Sequence, residues 1–147
     1  MRIVMASDHG GFELKEYIKS YLLGKGYDIL DIGTNSEESV DYPDYGKNAG
    51  LKIINGEADL GIIMCGSGIG ISIAANKVKG IRAALCHDIY TAKMCKMHNN
   101  ANIMVMGGRI VGKGLAIEMV ETYLNTEFEG GRHQKRVDKI HEIERED

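Results

Sequence analysis

The sequence predicts an α/β protein: one three-layer α/β/α domain over residues 1–147, built on a five-stranded parallel sheet and finished by a C-terminal helix. Three observations predict it. Five short apolar, β-prone runs are spread along the chain, each bounded by glycine or polar residues. The segments between them carry apolar residues at helical spacing. No internal repeat, low-complexity stretch or linker between domains divides the 147 residues, a length that suits one domain with a sizeable core. Strands that alternate with helices imply a parallel sheet covered on both faces.

The first strand is Arg2-Ile3-Val4-Met5-Ala6, closed by the polar loop Ser7-Asp8-His9-Gly10-Gly11. Leu14, Tyr17, Ile18, Tyr21 and Leu22 then share a helical face, and Gly24 and Gly26 stop that helix. Tyr27 to Ile32 is the second strand, closed by Gly33. A polar loop, Thr34 to Asp41, leads to the only proline, Pro43, ahead of a helix over Tyr45 to Asn55. Proline suits a first helical turn. The third strand, Leu60 to Met64, breaks into Cys65-Gly66-Ser67-Gly68-Ile69-Gly70 and resumes as a helix from Ile71. Ile81 to Leu85 is the fourth strand, Ile89 to Met97 its helix, and Asn102 to Met106 the fifth strand. Leu115 to Leu124 forms the next helix. After the linker Phe128 to Arg132, a charged helix from His133 to Glu144 carries Val137, Ile140 and Ile143 on its apolar side. In such sheets the loops after the strands gather at one edge, where ligands bind. Those loops hold Asp8-His9, Cys65-Gly66-Ser67, His87-Asp88 and Gly107-Gly108-Arg109. The pattern leaves the strand order open.

Composition narrows the function class. The formal net charge is −3, which does not point to nucleic acid or an anionic membrane as partner. Met1 to Ser7 is a short apolar run that meets Asp8 at once, so no secretory leader is expected. No segment approaches the ~20 apolar residues of a membrane span. Three cysteines, Cys65, Cys86 and Cys95, form no Cys-x-x-Cys pair and fit a reducing cytoplasm. No His, Cys, Asp or Glu cluster has a recognisable metal spacing, and no metal is expected.

The chemistry concentrates in Leu60 to Lys77. A strand, a glycine turn and a helix leave unpaired backbone N–H groups at the helix start, which suit an anion. Cys65 and Ser67 stand at the same turn. A base beside an anion hole is the combination that proton transfer needs, and helix N-termini favour thiolates. Taken singly, each residue has a plainer reading. A cysteine is more often a small buried hydrophobe, which is how Cys86 and Cys95 read. Ser67 alone satisfies turn backbone, Asp8 alone caps a loop, and His9 and His98 alone are surface residues. Arg132 and Arg136 share a helix face, which fits either a phosphate clamp or a solvated basic patch. Gly66, Gly68 and Gly70 lack the spacing of the dinucleotide fingerprint. Gly107 to Gly114 is laid out like a phosphate-binding P-loop, but Gly114 stands where a magnesium-binding Ser or Thr belongs. These two glycine stretches define an alternative, a nucleotide-binding module.

Read together, the residues resemble the B-type ribose-5-phosphate isomerase family, which includes galactose-6-phosphate and allose-6-phosphate isomerases. The resemblance covers nearly the whole chain: Ser7-Asp8-His9, Asp41-Tyr42-Pro43, Cys65 to Lys77, Gly80-Ile81-Arg82-Ala83, His98-Asn99 and Phe128 to His133. It implies a Rossmann-like domain and interconversion of an aldose phosphate and a ketose phosphate through an enediolate, without cofactor or metal. Ribose 5-phosphate and ribulose 5-phosphate are the preferred pair, and six-carbon allose 6-phosphate or galactose 6-phosphate the close alternative. By the same resemblance Cys65 is the base and Ser67 assists it by hydrogen bonding. Gly66, Gly68 and Gly70 supply the anion hole. His98 opens the sugar ring with Asp8 helping to hold the sugar. His9, Arg109, Arg132 and Arg136 bind phosphate, and Tyr42 and Asn99 contact sugar hydroxyls or the developing oxyanion. Two departures stand out. Ser67 replaces the threonine of many members, and Ile71 occupies the region where some members carry a glutamate base, leaving Cys65 as the base of this loop. The resemblance also implies a homodimer, or a dimer of dimers, with sites shared so that His98 or the arginine pair completes the neighbour's site.

Overall fold

Alternation along the strands sorts the apolar residues into two layers. Ile3, Met5, Ile62, Met64, Met104 and Met106 join one buried cluster, and Val4, Ala6, Ile63, Cys65, Ile103 and Val105 join the other. Successive side chains of a strand point to opposite faces, so both faces of this sheet are covered. The computed structural model describes residues 1–146; Asp147, the last residue of the expected domain, lies outside the described residues.

The strands are β1 (Arg2–Ser7), β2 (Asp28–Asp31), β3 (Leu60–Cys65), β4 (Ala83–Leu85) and β5 (Ile103–Gly107). They form one parallel sheet in the order β2-β1-β3-β5-β4. The helices are α1 (Phe12–Gly24), α2 (Tyr42–Ile54), α3 (Ile69–Asn76), α4 (Ile89–Met97), α5 (Lys113–Asn125) and α6 (Arg132–Arg145). α1, α4 and α5 pack on one face, while α2 and α3 pack together on the other. The expected five-stranded three-layer α/β/α architecture is therefore present. β1 leads outward to β2 while β3 leads the other way to β4. The direction in which the connections wind across the sheet thus reverses between β1 and β3, which opens a crevice at their carboxyl ends. No helix among the described residues is long and apolar enough to cross a membrane.

Three expectations are corrected. α2 begins at Tyr42 rather than Tyr45, because Asp41 is extended and Pro43 already sits in the first turn. In that helix a Cβ at Gly46 would lie 2.8 Å from the Ile71 carbonyl oxygen, so glycine lets α2 and α3 approach closely. β4 begins at Ala83 rather than Ile81. Side-chain amides take over the backbone there: Arg82 N–H donates to Asn102 Oδ1 at 2.8 Å, and Asn76 pairs with both backbone groups of Ala83. Finally, Val137 is buried on α6, but Ile140 and Ile143 are exposed. The apolar side of that helix is only partly covered.

Candidate active site

The crevice between β1 and β3 gathers most of the singled-out residues. Cys65 ends β3 almost fully buried, with its Sγ accepting a hydrogen bond from the Gly68 amide at 3.2 Å. Gly68 holds φ of 81°, and a Cβ there would lie 2.5 Å from Leu85 Cδ1 and 2.9 Å from the Met106 carbonyl carbon. Only glycine fits both the left-handed backbone and that gap. The turn therefore wraps back over the sulfur. Ser67 is exposed, and its Oγ accepts from the Ile69 amide at 3.2 Å. Cys65 and Ser67 thus each take an amide of the same turn, and no hydrogen bond joins them among the described residues. The Ser72 amide is the first to reach a helical carbonyl, that of Gly68 at 3.2 Å. The Gly70 and Ile71 amides ahead of it have no helical acceptor and form the positive end of α3.

The loops after β1 and β5 close around this turn. Asp8 is buried, and its Oδ1 accepts from the Gly10 amide at 2.9 Å and the Gly11 amide at 3.2 Å. His9 Nδ1 accepts from the Val40 amide at 3.2 Å, which fixes the neutral ring with its proton on Nε2. Arg109 N–H donates to the Gly66 carbonyl at 3.0 Å, and its guanidinium lies over Gly66, where a Cβ would be 3.1 Å from Nη1. The Tyr42 ring lies over Gly70, where a Cβ would be 2.5 Å from Cε1 and Cζ. A cleft of about 510 Å³, lined among others by His9, Arg109 and Lys113, adjoins the turn. The first two glycines of the P-loop-like stretch are packed against neighbouring loops. A Cβ at Gly107 would lie 2.6 Å from the Ser67 carbonyl oxygen, and one at Gly108 2.6 Å from that of Gly10. Those two glycines serve close packing between loops.

His98, Asn99, Arg132 and Arg136 are elsewhere. α4 returns across the sheet, so His98 follows its last turn at the edge where β5 starts. Cys65 pairs with Gly107 and Gly61 with Ile103, so four residues of strand, about 13 Å, separate Cys65 from the level of that start. Glu129 N–H donates to the Met97 carbonyl at 3.0 Å, which brings the start of α6 beside His98. The His98 and His133 rings stack there at 4.1 Å. One chain thus carries two clusters at opposite edges of its sheet: Asp8, His9, Tyr42, Cys65, Ser67 and Arg109 at one, His98, Asn99, Arg132 and Arg136 at the other.

His133 and Glu129 escaped the sequence reading as site residues. Their partner His98 is distant in sequence, and nothing local marks the stack. Ligand atoms of His98, Glu129 and His133 lie within 4.8 Å of one another. Parallel rings aim their nitrogen lone pairs side by side rather than at a common point, which suits a stack better than a tetrahedral ion.

Comparison with known proteins places this geometry in a family. The family model described as Ribose/Galactose Isomerase matches residues 3–140. Ribose-5-phosphate isomerase B of Escherichia coli is 46% identical over 143 residues, covering 97% of this chain and 96% of its own. A putative sugar phosphate isomerase, YwlF of Bacillus subtilis, is 48% identical over 145 residues, covering 98% and 97%. Among solved structures, Clostridium thermocellum ribose-5-phosphate isomerase B superposes with a TM-score of 0.98 at 53% identity, covering 99% and 98% of the two chains. Mycoplasma genitalium ribose-5-phosphate isomerase B with bound ribulose-5-phosphate gives 0.94 at 42% identity, covering 99% and 97%. With the family model spanning most of the sequence and relatives aligned nearly end to end, the chain belongs to the ribose/galactose isomerase family.

Proposed function

We propose that this chain is a ribose-5-phosphate isomerase, interconverting D-ribose 5-phosphate and D-ribulose 5-phosphate by metal-free proton transfer through an enediolate. The observation that carries the reading is the place of Cys65: a thiol at the carboxyl end of β3, held by the Gly68 amide 3.2 Å away at the start of α3. As thiolate, Cys65 takes the C2 proton of the open-chain aldose. The C–H electrons flow toward O1 and give the enediolate. Return of that proton from Cys65 to C1, with transfer of the C2 hydroxyl proton to O1, leaves the ketose. The free Gly70 and Ile71 amides, with those of the Gly66 to Gly68 turn, favour negative charge where it develops. Tyr42 over Gly70 and Asp8 under the loop suit the sugar hydroxyls. His9 Nε2–H and Arg109 suit the phosphate.

The remaining roles need a second copy. His98 serves ring opening by taking the anomeric hydroxyl proton and protonating the ring oxygen, and Arg132 and Arg136 complete the phosphate site. Within one chain they face away from Cys65. A homodimer with two shared sites places them together, and the apolar side chains Ile69, Ile73, Ile89, Tyr90 and Ile110 around the carboxyl ends of β3, β4 and β5 are exposed in the single chain. Exposed apolar side chains grouped this way suit a protein partner. The three free, buried cysteines fit the cytoplasm.

The test is ribulose 5-phosphate formation from ribose 5-phosphate in the presence of a chelator, for the native chain and Cys65→Ala. General-base loss typically costs ~10²–10⁴ in rate. The proposal expects native turnover with chelator and a fall of that size in the variant. Turnover kept by Cys65→Ala overturns the base, and turnover abolished by chelator overturns the metal-free reaction.

A further inference from the structure

Arg82 is a half-buried cation at the start of β4, and among the described residues no carboxylate lies within 4.0 Å of its guanidinium. Its donors go instead to the turn that ends α4. Nε donates to the Asn99 carbonyl at 3.2 Å and to the Asn100 carbonyl at 3.0 Å, and Nη2 donates to the Asn100 carbonyl at 2.8 Å. That turn is unusual in its own right. Asn100 holds φ of 47°, the left-handed conformation that costs an L-residue energy unless its surroundings hold it. Asn100 N–H reaches back to the Lys96 carbonyl at 3.1 Å, the closure of an αL turn, and Ala101 N–H reaches the Cys95 carbonyl at 2.9 Å. His98 and Asn99 are the residues between helix and turn. Where they point is set by whether the turn keeps this shape.

The guanidinium is held from behind. Nη1 lies 2.9 Å from His141 Nε2 on α6. Arginine only donates, so His141 Nε2 must accept and the ring proton must sit on Nδ1. Nδ1 faces Glu144 Oε2 at 3.2 Å, and Glu144 Oε1 accepts from the Gly80 amide at 3.0 Å. The chain Gly80–Glu144–His141–Arg82 thus ties three segments to one fork. A rigid planar fork can hold two neighbouring carbonyls at once, which a lysine ammonium cannot reproduce in the same geometry.

We propose that Arg82 is a positioning residue for ring opening: it fixes the Asn99–Asn100 turn and through it the placement of His98. This rests on the reading of His98 as the ring-opening group. Ribulose 5-phosphate supplies the discriminating substrate. Its C5 oxygen carries the phosphate, so it cannot close a five-membered ring, and exchange of its C1 protons with solvent needs the base but no ring chemistry.

The experiment compares Arg82→Gln, Arg82→Lys, His98→Gln and the Arg82→Gln/His98→Gln double variant. Two rates are measured: ribulose 5-phosphate formation from ribose 5-phosphate, and deuterium incorporation at C1 of ribulose 5-phosphate in heavy water. Misplacing a catalytic group by about an ångström can cost ~10²-fold. Arg82→Gln should lose about that much in the first rate and keep the second within about threefold, and Arg82→Lys, which retains charge and stem, should restore only part of the loss. The double variant should be no slower than His98→Gln, since two changes acting through one group do not add. Arg82→Gln with native isomerisation overturns the proposal, as does exchange falling in step with isomerisation or a double variant slower than His98→Gln. If His98→Gln itself isomerises ribose 5-phosphate at the native rate, the ring-opening reading fails, a result separate from any obtained with Arg82.

Discussion

The imidazole rings of His98 and His133 lie face to face, their centroids 4.1 Å apart and their planes 10° from parallel. Burial above all, and then the charge that His98 carries when protonated, push the His133 pKa below the ordinary imidazole value; Arg132 and Arg136 add to this and Glu129 opposes it. The unfolded chain takes that proton near pH ~6.5, the folded chain only at lower pH. This contribution to stability is therefore complete above pH ~6.5 and is lost as pH falls through the lowered folded value. Thermal unfolding scanned from pH 7.5 to 5 should show a falling Tm at the acid end. His133→Phe keeps a ring for the stack and removes the titration, so its acid-side slope should be shallower. An unchanged slope would sink this account.

Gly70 separates two effects of one methyl group. In the first turn of α3, alanine favours the helix by about 1 kcal/mol over glycine. The same Cβ would sit 2.5 Å from the Tyr42 ring, which is 41% exposed and free to swing outward. Gly70→Ala should leave Tm within a few degrees of native, because the gain and the clash offset each other. It should raise KM for ribose 5-phosphate about tenfold by displacing Tyr42 from the crevice. Steady-state kinetics beside a melting curve check both, and an unchanged KM would remove Tyr42 from the sugar site.

Lys15 is fully buried and places its Nζ 2.9 and 2.8 Å from the two carboxylate oxygens of Asp31. Lys19 adds an ammonium at 2.8 Å and Gly33 an amide at 2.9 Å. Burial raises the Asp31 pKa, but these donors outweigh it and hold the carboxyl below its ordinary range. The stabilisation is present above the unfolded value of ~3.9 and fades as pH falls through the lower folded one. Asp31→Asn leaves the buried Lys15 ammonium with the Glu16 carboxylate at 3.2 Å as its one charged partner, and breaking a buried pair costs up to about 3–5 kcal/mol. Lys15→Met should cost less, since Asp31 keeps Lys19 and Gly33. Urea unfolding of the two variants gives the order, and Lys15→Met proving the more costly would contradict it.

What was legible in the sequence follows from how local each cause is. Strand alternation and glycine-closed runs are local, so the layers and the residues of the β1–β3 crevice could be read directly. Strand order is a choice among crossovers, and no residue encodes it alone. The start of α2 was hidden because Tyr42-Pro43-Asp44 carries no apolar stripe. β4 was overdrawn because Asn102, 20 residues from Arg82, supplies the acceptor that a strand neighbour would. The placement of His98 was readable in principle. A residue between a helix and the next strand of a parallel sheet falls on the edge opposite the strand-to-helix loops. Arg82 and His133 were beyond local reading, since the Arg82 partners stand 17, 18 and 59 residues away.

That opposite-edge placement makes its own prediction. If each site joins Cys65 of one copy to His98 of another, Cys65→Ala and His98→Gln are complementary lesions. A mixed dimer then has one site carrying both lesions and one carrying neither. Unfolding and refolding equal amounts of the two inactive variants should yield about half mixed dimers, each with one native site, and so about a quarter of native activity by two-fold symmetry. If Cys65 and His98 of the same chain worked together, every site in the mixture would carry one lesion and no activity would return. The recovered fraction should also be independent of which variant carries an affinity tag. Purification through two different tags should raise the activity per dimer to about half the native value, because only mixed dimers retain both tags. A mixture that stays inactive although tandem purification proves mixed dimers present would reject the shared site while leaving Cys65 as base.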